Sequence, residues 1–281
     1  MKPPVLAAEI ERRLLINYRA DPDVIRGLLP EPLRPQLIGD AAVVGICLIR
    51  LAAVRPARWP RSVGLRSENA AHRLAVEWDG PDGPQTGVYI PRRDSDSRIN
   101  VLAGGRIYPG VHHLADFDVE ETDRQFHVAF AARDRSAKVS VDAELAESLG
   151  GTLFSDVSAA SDFFRSGAVG FSPGHASLLE GLELHTDRWN IAPVRVLHAA
   201  SSFFDDPARF PTGTILLDCG LLMRRVPVIW STVDVERALP QTCVPSLPAE
   251  LHVAGVALAR GLGVADDLDG IRLGPCALED V

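Results

Sequence analysis

From residue 13 to residue 232, apolar side chains keep recurring at strand spacing, and clusters of Gly, Pro, Asp and Ser break the pattern into short runs. Arg13–Arg19 alternates, with Leu14, Ile16 and Tyr18 on one face. Ala41–Leu51 is a continuous apolar run rich in Val and Ile, the pattern of a strand buried on both faces. His72–Trp78 and Thr86–Ile90 flank Asp79-Gly80-Pro81-Asp82-Gly83-Pro84 and predict a hairpin. Further strands are expected at Arg98–Ala103, Gln125–Ala131, Lys138–Ala143, Leu182–His185, Val194–Ala199, Thr214–Leu222 and Val226–Thr232. Residues 133–136, between two of these runs, read as a hairpin turn.

Helical signals are few. Asp21-Pro22 supplies an N-cap and a proline at the first helical position for a short helix over Asp23–Leu29, which Pro30 and Pro32 stop. Asp156–Arg165 reads as a second short helix. Pro248–Arg260 reads as an amphipathic helix ended by Gly261, placed to dock on the main body or to mediate self-association. Many strands with few helices define a mostly β, α+β chain, and periodicity leaves barrel and sandwich both open.

Several functions are disfavoured by bulk properties. The 281 residues carry a net charge of −8, and Arg12-Arg13, Arg92-Arg93 and Arg224-Arg225 are isolated basic pairs. A nucleic-acid surface needs clustered Lys and Arg, so none is expected. The longest apolar runs are too short for a membrane span, and the N-terminus has no continuous apolar leader, so a cytoplasmic protein is expected. Four scattered cysteines, Cys47, Cys219, Cys243 and Cys276, form neither a disulfide framework nor a zinc knuckle. No glycine-rich phosphate loop is present, and a serine hydrolase is not expected. Lysine occurs only at Lys2 and Lys138, which leaves little amine for imine chemistry.

The stretch Tyr18-Arg19-Ala20-Asp21-Pro22-Asp23, followed by Leu29-Pro30-Glu31-Pro32-Leu33, resembles the opening of acetoacetate decarboxylases. Leu65-Arg66-Ser67-Glu68-Asn69 resembles the segment that gives those enzymes an active-site glutamate, which puts Glu68 at that position. Gly105 to Leu114 resembles the Gly-Arg segment ending in their catalytic lysine pair once one residue is skipped, so His112-His113 stands in place of Lys-Lys. Residues 185–204 are similar to an uncharacterised branch of the same superfamily. The resemblance covers about residues 10–235 and implies an acetoacetate decarboxylase-like β-barrel or cone with a few short peripheral helices. It implies one such domain over 1–240, with 241–281 as a C-terminal helix and tail packed on it.

An imidazole cannot form the iminium electron sink of a lysine Schiff base. The chain is therefore expected to be a small-molecule enzyme acting on a keto acid or related carbonyl compound by His/Glu acid–base chemistry, or a ligand-binding or sensing domain using the same cavity. His112, His113 and Glu68 are the expected catalytic groups. Arg106, Tyr108 and His72 are the expected substrate contacts, with Arg106 matched to a carboxylate. His72, His112, His113 and Glu68 have donor atoms but no HxH, HxxxH or HExxH spacing, so neither a metal nor another cofactor is expected. The expected partner is a small carboxylate or carbonyl ligand, with self-association through the C-terminal helix as an option. Adjacent strand residues point to opposite faces, so only one of His112 and His113 is expected to face inward.

Overall fold

The computed structural model describes residues 5–174 and 179–239. The chain runs β1 (Leu6–Ala20), α1 (Pro22–Arg26), β2 (Arg34–Pro35), β3 (Leu37–Ile38), β4 (Ala41–Pro56), β5 (Leu65–Gly80) and β6 (Gly83–Ser95). It continues through α2 (Arg98–Ala103), β7 (His112–Glu121), β8 (Gln125–Ala132), β9 (Lys138–Leu145), α3 (Val157–Ser166), β10 (Val169–Pro173) and β11 (Leu179–His185). It ends with β12 (Ala192–Ser201), β13 (Ile215–Val233) and α4 (Val235–Ala238).

The strand pairings close the sheet twice. One ring runs β6-β7-β8-β9-β12-β13-β1-β4-β5 and returns to β6. The second uses the same wall, β13-β1-β4-β5-β6, and closes through β10 and β11 back onto β13. A wall shared by two rings is buried on both faces, which is why Ala41–Leu48 is apolar and buried at every position. Leu14, Ile16, Ile46 and Leu48 point one way and meet Val128, Phe130, Val139 and Val141 of β8 and β9. Leu15, Val43, Cys47 and Ala71 point the other way and meet Leu153, Phe164 and Leu221.

Two irregularities switch residues between these faces. In β1 the register shifts against β4 between Ile10 and Arg12, beside Arg225 of β13, whose φ is 55°. Ile10 consequently shares a core with Met223 and Val226, while Arg12 and Arg13 diverge to opposite sides of the wall. In β5 the register against β6 shifts between His72 and Leu74.

The mostly β fold expected from the sequence is present, and three details differ. Arg98–Ala103 is a helix, not a strand: the Ser97 side chain accepts from the Asn100 amide at 3.3 Å and nucleates the turn. Thr214–Leu222 and Val226–Thr232 belong to one strand, β13, which bends at Arg225 rather than ending there. The first helix stops at Arg26, and Asp21 caps it by accepting from the Asp23 amide at 2.8 Å. The strands β7 and β10 carry no clear sequence signal because β7 is mostly exposed or half-exposed and β10 is short. The expected helix at Pro248–Arg260 lies outside the described residues, as does the segment 241–281.

Candidate functional site

Four dipeptides on or beside the shared wall each send one side chain to either face: Arg12-Arg13, His72-Arg73, Arg92-Arg93 and His112-His113. Arg13, Arg73, Arg93 and His112 line one cavity, of about 380 Å³. Arg92 and His113 line a different one. Arg12 and His72 are buried in the nine-strand ring. Strand alternation, not side-chain type, makes this division.

The first cavity has an unusual charge pattern. Arg13, Arg73 and Arg93 line one end of it and Arg55 the other, no Asp or Glu does, and none of the four forms an ion pair among the described residues. Arg13 donates only to sulfur, from Nε to Cys47 Sγ at 3.3 Å and from Nη1 to Met223 Sδ at 3.9 Å. Arg73 is 3% exposed, donates to Asn17 Oδ1, lies 4.6 Å from the Phe164 ring centroid and leaves its Nε without a partner. Arg93 donates from Nε to Ser172 Oγ at 3.1 Å. Burial pulls the pKa of both Arg73 and Arg93 down to about 10, so each is still charged at neutral pH. Three confined guanidinium groups with no ion-paired carboxylate, Glu180 near Arg93 being held by the Gly110 amide at 2.7 Å, form a candidate anion site, since buried charge is ordinarily paired.

His112 completes this end of the cavity. Its Nδ1 donates to the Gly110 carbonyl at 2.9 Å, which leaves the Nε2 lone pair free. Burial, then the charge of Arg93, lowers its pKa to about 4, so the ring is neutral at pH 7. Local glycines make the fit. A Cβ on Gly104 would stand 2.4 Å from His112 Nδ1. Gly110 has φ +90° and a Cβ there would stand 2.6 Å from Arg93 Nε. The Gly104–Gly110 loop therefore serves close packing around His112 and Arg93, a role that no phosphate-loop pattern signals.

The remaining sequence-selected residues divide as follows. Tyr108 lines the same cavity, and burial raises its pKa. Arg106 is exposed and donates to the Leu102 carbonyl at 3.1 Å, away from the cavity lining. His113 Nδ1 lies 2.9 Å from Asp134 Oδ2 and its side chain is 38% exposed, so His112 is the inward member of the pair. His72 has no exposed surface: its Nε2 is 3.0 Å from Ser201 Oγ, its Nδ1 has no partner, and Phe203 packs on it at 4.8 Å.

Glu68 does not meet His112. It faces the other side of the wall, where Arg12 Nη2 approaches its Oε2 at 2.5 Å and Arg50 pairs with its Oε1. Glu121 closes the group, 3.1 Å from Arg12 Nε and also paired with Arg50. A two-arginine, two-carboxylate cluster holds Glu68 as a structural counter-ion. The cavity-lining cations that sequence reasoning missed are Arg13, Arg73 and Arg93. The available signal was their place beside Arg12, His72 and Arg92 in strand patterns, where neighbours face opposite ways.

Lys138 is exposed on β9 and does not line the cavity. Among the described residues no helix is long and apolar enough to cross a membrane, and no group of three or more His, Cys, Asp or Glu side chains is disposed to hold a metal.

Known structures have a similar fold. An acetoacetate decarboxylase from Legionella pneumophila superposes with a TM-score of 0.51 at 14% identity, covering 82% of this chain and 87% of its own. An acetoacetate decarboxylase-like enzyme from Sphingomonas wittichii RW1 gives 0.54 at 12% identity, over 83% and 94%. The enduracididine biosynthesis enzyme MppR, in complex with pyruvate, gives 0.55 at 12% identity, over 83% and 89%. The fold is thus the one seen in acetoacetate decarboxylase and in acetoacetate decarboxylase-like enzymes. Residues 7–212 match the family DUF2071, described as an uncharacterized conserved protein, and the chain belongs to that family. No curated protein matches it.

Proposed function

We propose that the cavity lined by Arg13, Arg73 and Arg93 binds a keto acid or related carbonyl-bearing carboxylate, and that His112 moves a proton on it without a lysine Schiff base. The observation that carries this reading is the three arginines gathered at one end of a cavity that no acidic side chain lines. A carboxylate takes two oxygens to guanidinium forks, and a carbonyl oxygen accepts from the remaining donors. Charge growing on that oxygen during loss of an α-proton is stabilised by the same cations. Nε2 of His112 takes the proton and returns it, so the chemistry needs no further base.

Ligand binding also adjusts the base. Burial and Arg93 together depress His112. A carboxylate on Arg93 offsets the second cause and moves the imidazole back toward its ordinary range. One structural relative, MppR, is known in complex with pyruvate, a 2-keto acid. Exposed Lys138 lies off the cavity lining, in keeping with chemistry that involves no imine.

Exchange of α-protons in deuterated water tests the reading. With a 2-keto carboxylate, the wild-type protein is expected to wash deuterium into C3, the carbon next to the ketone, followed by proton NMR. His112→Gln is expected to bind the same ligand but exchange it on the order of a hundred-fold more slowly, the usual scale of a general base. Equal exchange by both proteins removes His112 from the mechanism. A second reading has its own observation: with no carboxylate in the lining, the cavity suits binding without turnover. Tight binding with no exchange in the wild-type protein selects that reading.

A further inference from the structure

The same cavity is much longer than a three-carbon acid requires, and its two ends differ. Cys47, Ile49, Leu51, Val54 and Pro56 of β4 line its length, and β1 contributes Arg13 and Leu6, seven steps or about 23 Å of strand apart at roughly 3.3 Å per residue. The pairings Leu6↔Pro56, Val54↔Leu65 and Leu6↔Trp230 bring the apolar residues of four strands to one end. Arg13↔Ile49, Cys47↔Ala71 and Ala71↔Arg93 bring the arginines to the other. Leu184 pairs with Trp230 and joins the apolar end. Arg55, the cation at that end, already donates to the carbonyls of Trp59 at 2.9 Å and Ala53 at 2.8 Å.

We propose that the ligand of this cavity is an elongated, singly charged amphipathic carboxylate, a medium-length acyl chain or an equivalent apolar acid. Its head lies among Arg13, Arg73 and Arg93, and its apolar body runs along β4 toward Leu6, Leu184 and Trp230. The proposal rests on the carboxylate reading above and adds the shape and polarity of the rest of the molecule. A cationic group has no partner because no acid lines the cavity. A second carboxylate at the far end would have to face Leu6, Pro56, Leu65 and Trp230, with the nearby guanidinium already engaged. Burial of each methylene against this wall adds affinity through the hydrophobic effect.

The test is calorimetric titration of the full chain with acetate, butanoate, hexanoate, octanoate and decanoate, followed by octanedioate. The proposal expects Kd to fall about four-fold per added CH2 through at least octanoate. It expects octanedioate to bind at least ten-fold more weakly than octanoate. Arg93→Met should weaken the whole series by a similar factor, whereas Trp230→Ala should flatten the length dependence and leave acetate unchanged. If short and long carboxylates bind equally, the amphipathic ligand is overturned while the carboxylate site stands. If octanedioate binds more tightly than octanoate, the single charge is overturned. If no carboxylate of any length binds the wild-type protein, the carboxylate site itself falls, and this proposal with it.

Discussion

Glu68→Ala is expected to destabilise the folded protein by about 3–5 kcal/mol, the cost of leaving a buried arginine without its main counter-ion. Arg12 is 2% exposed, and Glu68, with a side chain 12% exposed, is its closest carboxylate. Glu121 remains after the substitution, but it is shared with Arg50, which also loses Glu68. In a domain of this size the loss corresponds to a fall in Tm on the order of 10 °C. Denaturant titration gives the free energy directly. The double substitution Arg12→Met/Glu68→Ala should recover a substantial part of it, because both buried charges are then removed together. Carboxylate binding in the Arg13–Arg73–Arg93 cavity should be unchanged for whatever fraction stays folded, since Glu68 faces the opposite side of the wall. A Glu68→Ala protein with wild-type stability and no α-proton exchange would return Glu68 to the chemistry.

Acid should weaken the fold well before the surface carboxylates titrate. His72 is buried without a carboxylate partner, and burial, then Arg92 and Arg209, lowers its pKa to about 3. His112 is lowered to about 4 by burial and Arg93. An unfolded chain protonates both rings near 6.5, so below that pH it binds protons that the folded state refuses. Stability is therefore full above about pH 6.5 and falls as pH drops toward 4, by roughly 1.4 kcal/mol per group per pH unit. At pH 4.5 the expected loss is about 4–5 kcal/mol, with fully enclosed His72 the larger contributor. Exposed His127, raised by its hydrogen bond to Asp142, works weakly in the opposite direction. Urea midpoints at a series of pH values between 7.5 and 4.5 measure the slope, and His72→Phe should reduce it by about half. A stability flat across that range would contradict the neutral burial of both imidazoles.

Much of the fold was legible because strand alternation and helix capping are local. The apolar run at Ala41–Leu51 announced a strand buried on both faces, and Asp21-Pro22 announced the capped turn. The capped turn at Ser97 was misread as a strand because Arg98–Ala103 is mostly apolar and too short for helical periodicity to show. The bend at Arg225 was misread as a strand end because a change of face within one strand looks like a break in the pattern.

The site was legible only in part. Alternation correctly implied that His112 and His113 diverge, and Tyr108 and His112 do line one cavity. Glu68 and His72 were polar residues in the right strand but on the wrong face, and which face is which depends on bulges near Ile10–Arg12 and His72–Leu74. Arg13, Arg73 and Arg93 looked like ordinary members of basic or mixed pairs. Their lack of carboxylate partners emerges only when strands far apart in sequence are brought together.

The most direct measurement of the central claim is a crystal structure with 8-bromooctanoate, read by the anomalous signal of bromine. The carboxylate is expected within hydrogen-bond distance of at least two of Arg13, Arg73 and Arg93, with bromine toward Leu6 and Trp230. A carboxylate held beside Arg92, His113 and Arg209 in the other cavity, or a reversed ligand with bromine among the three arginines, would contradict it.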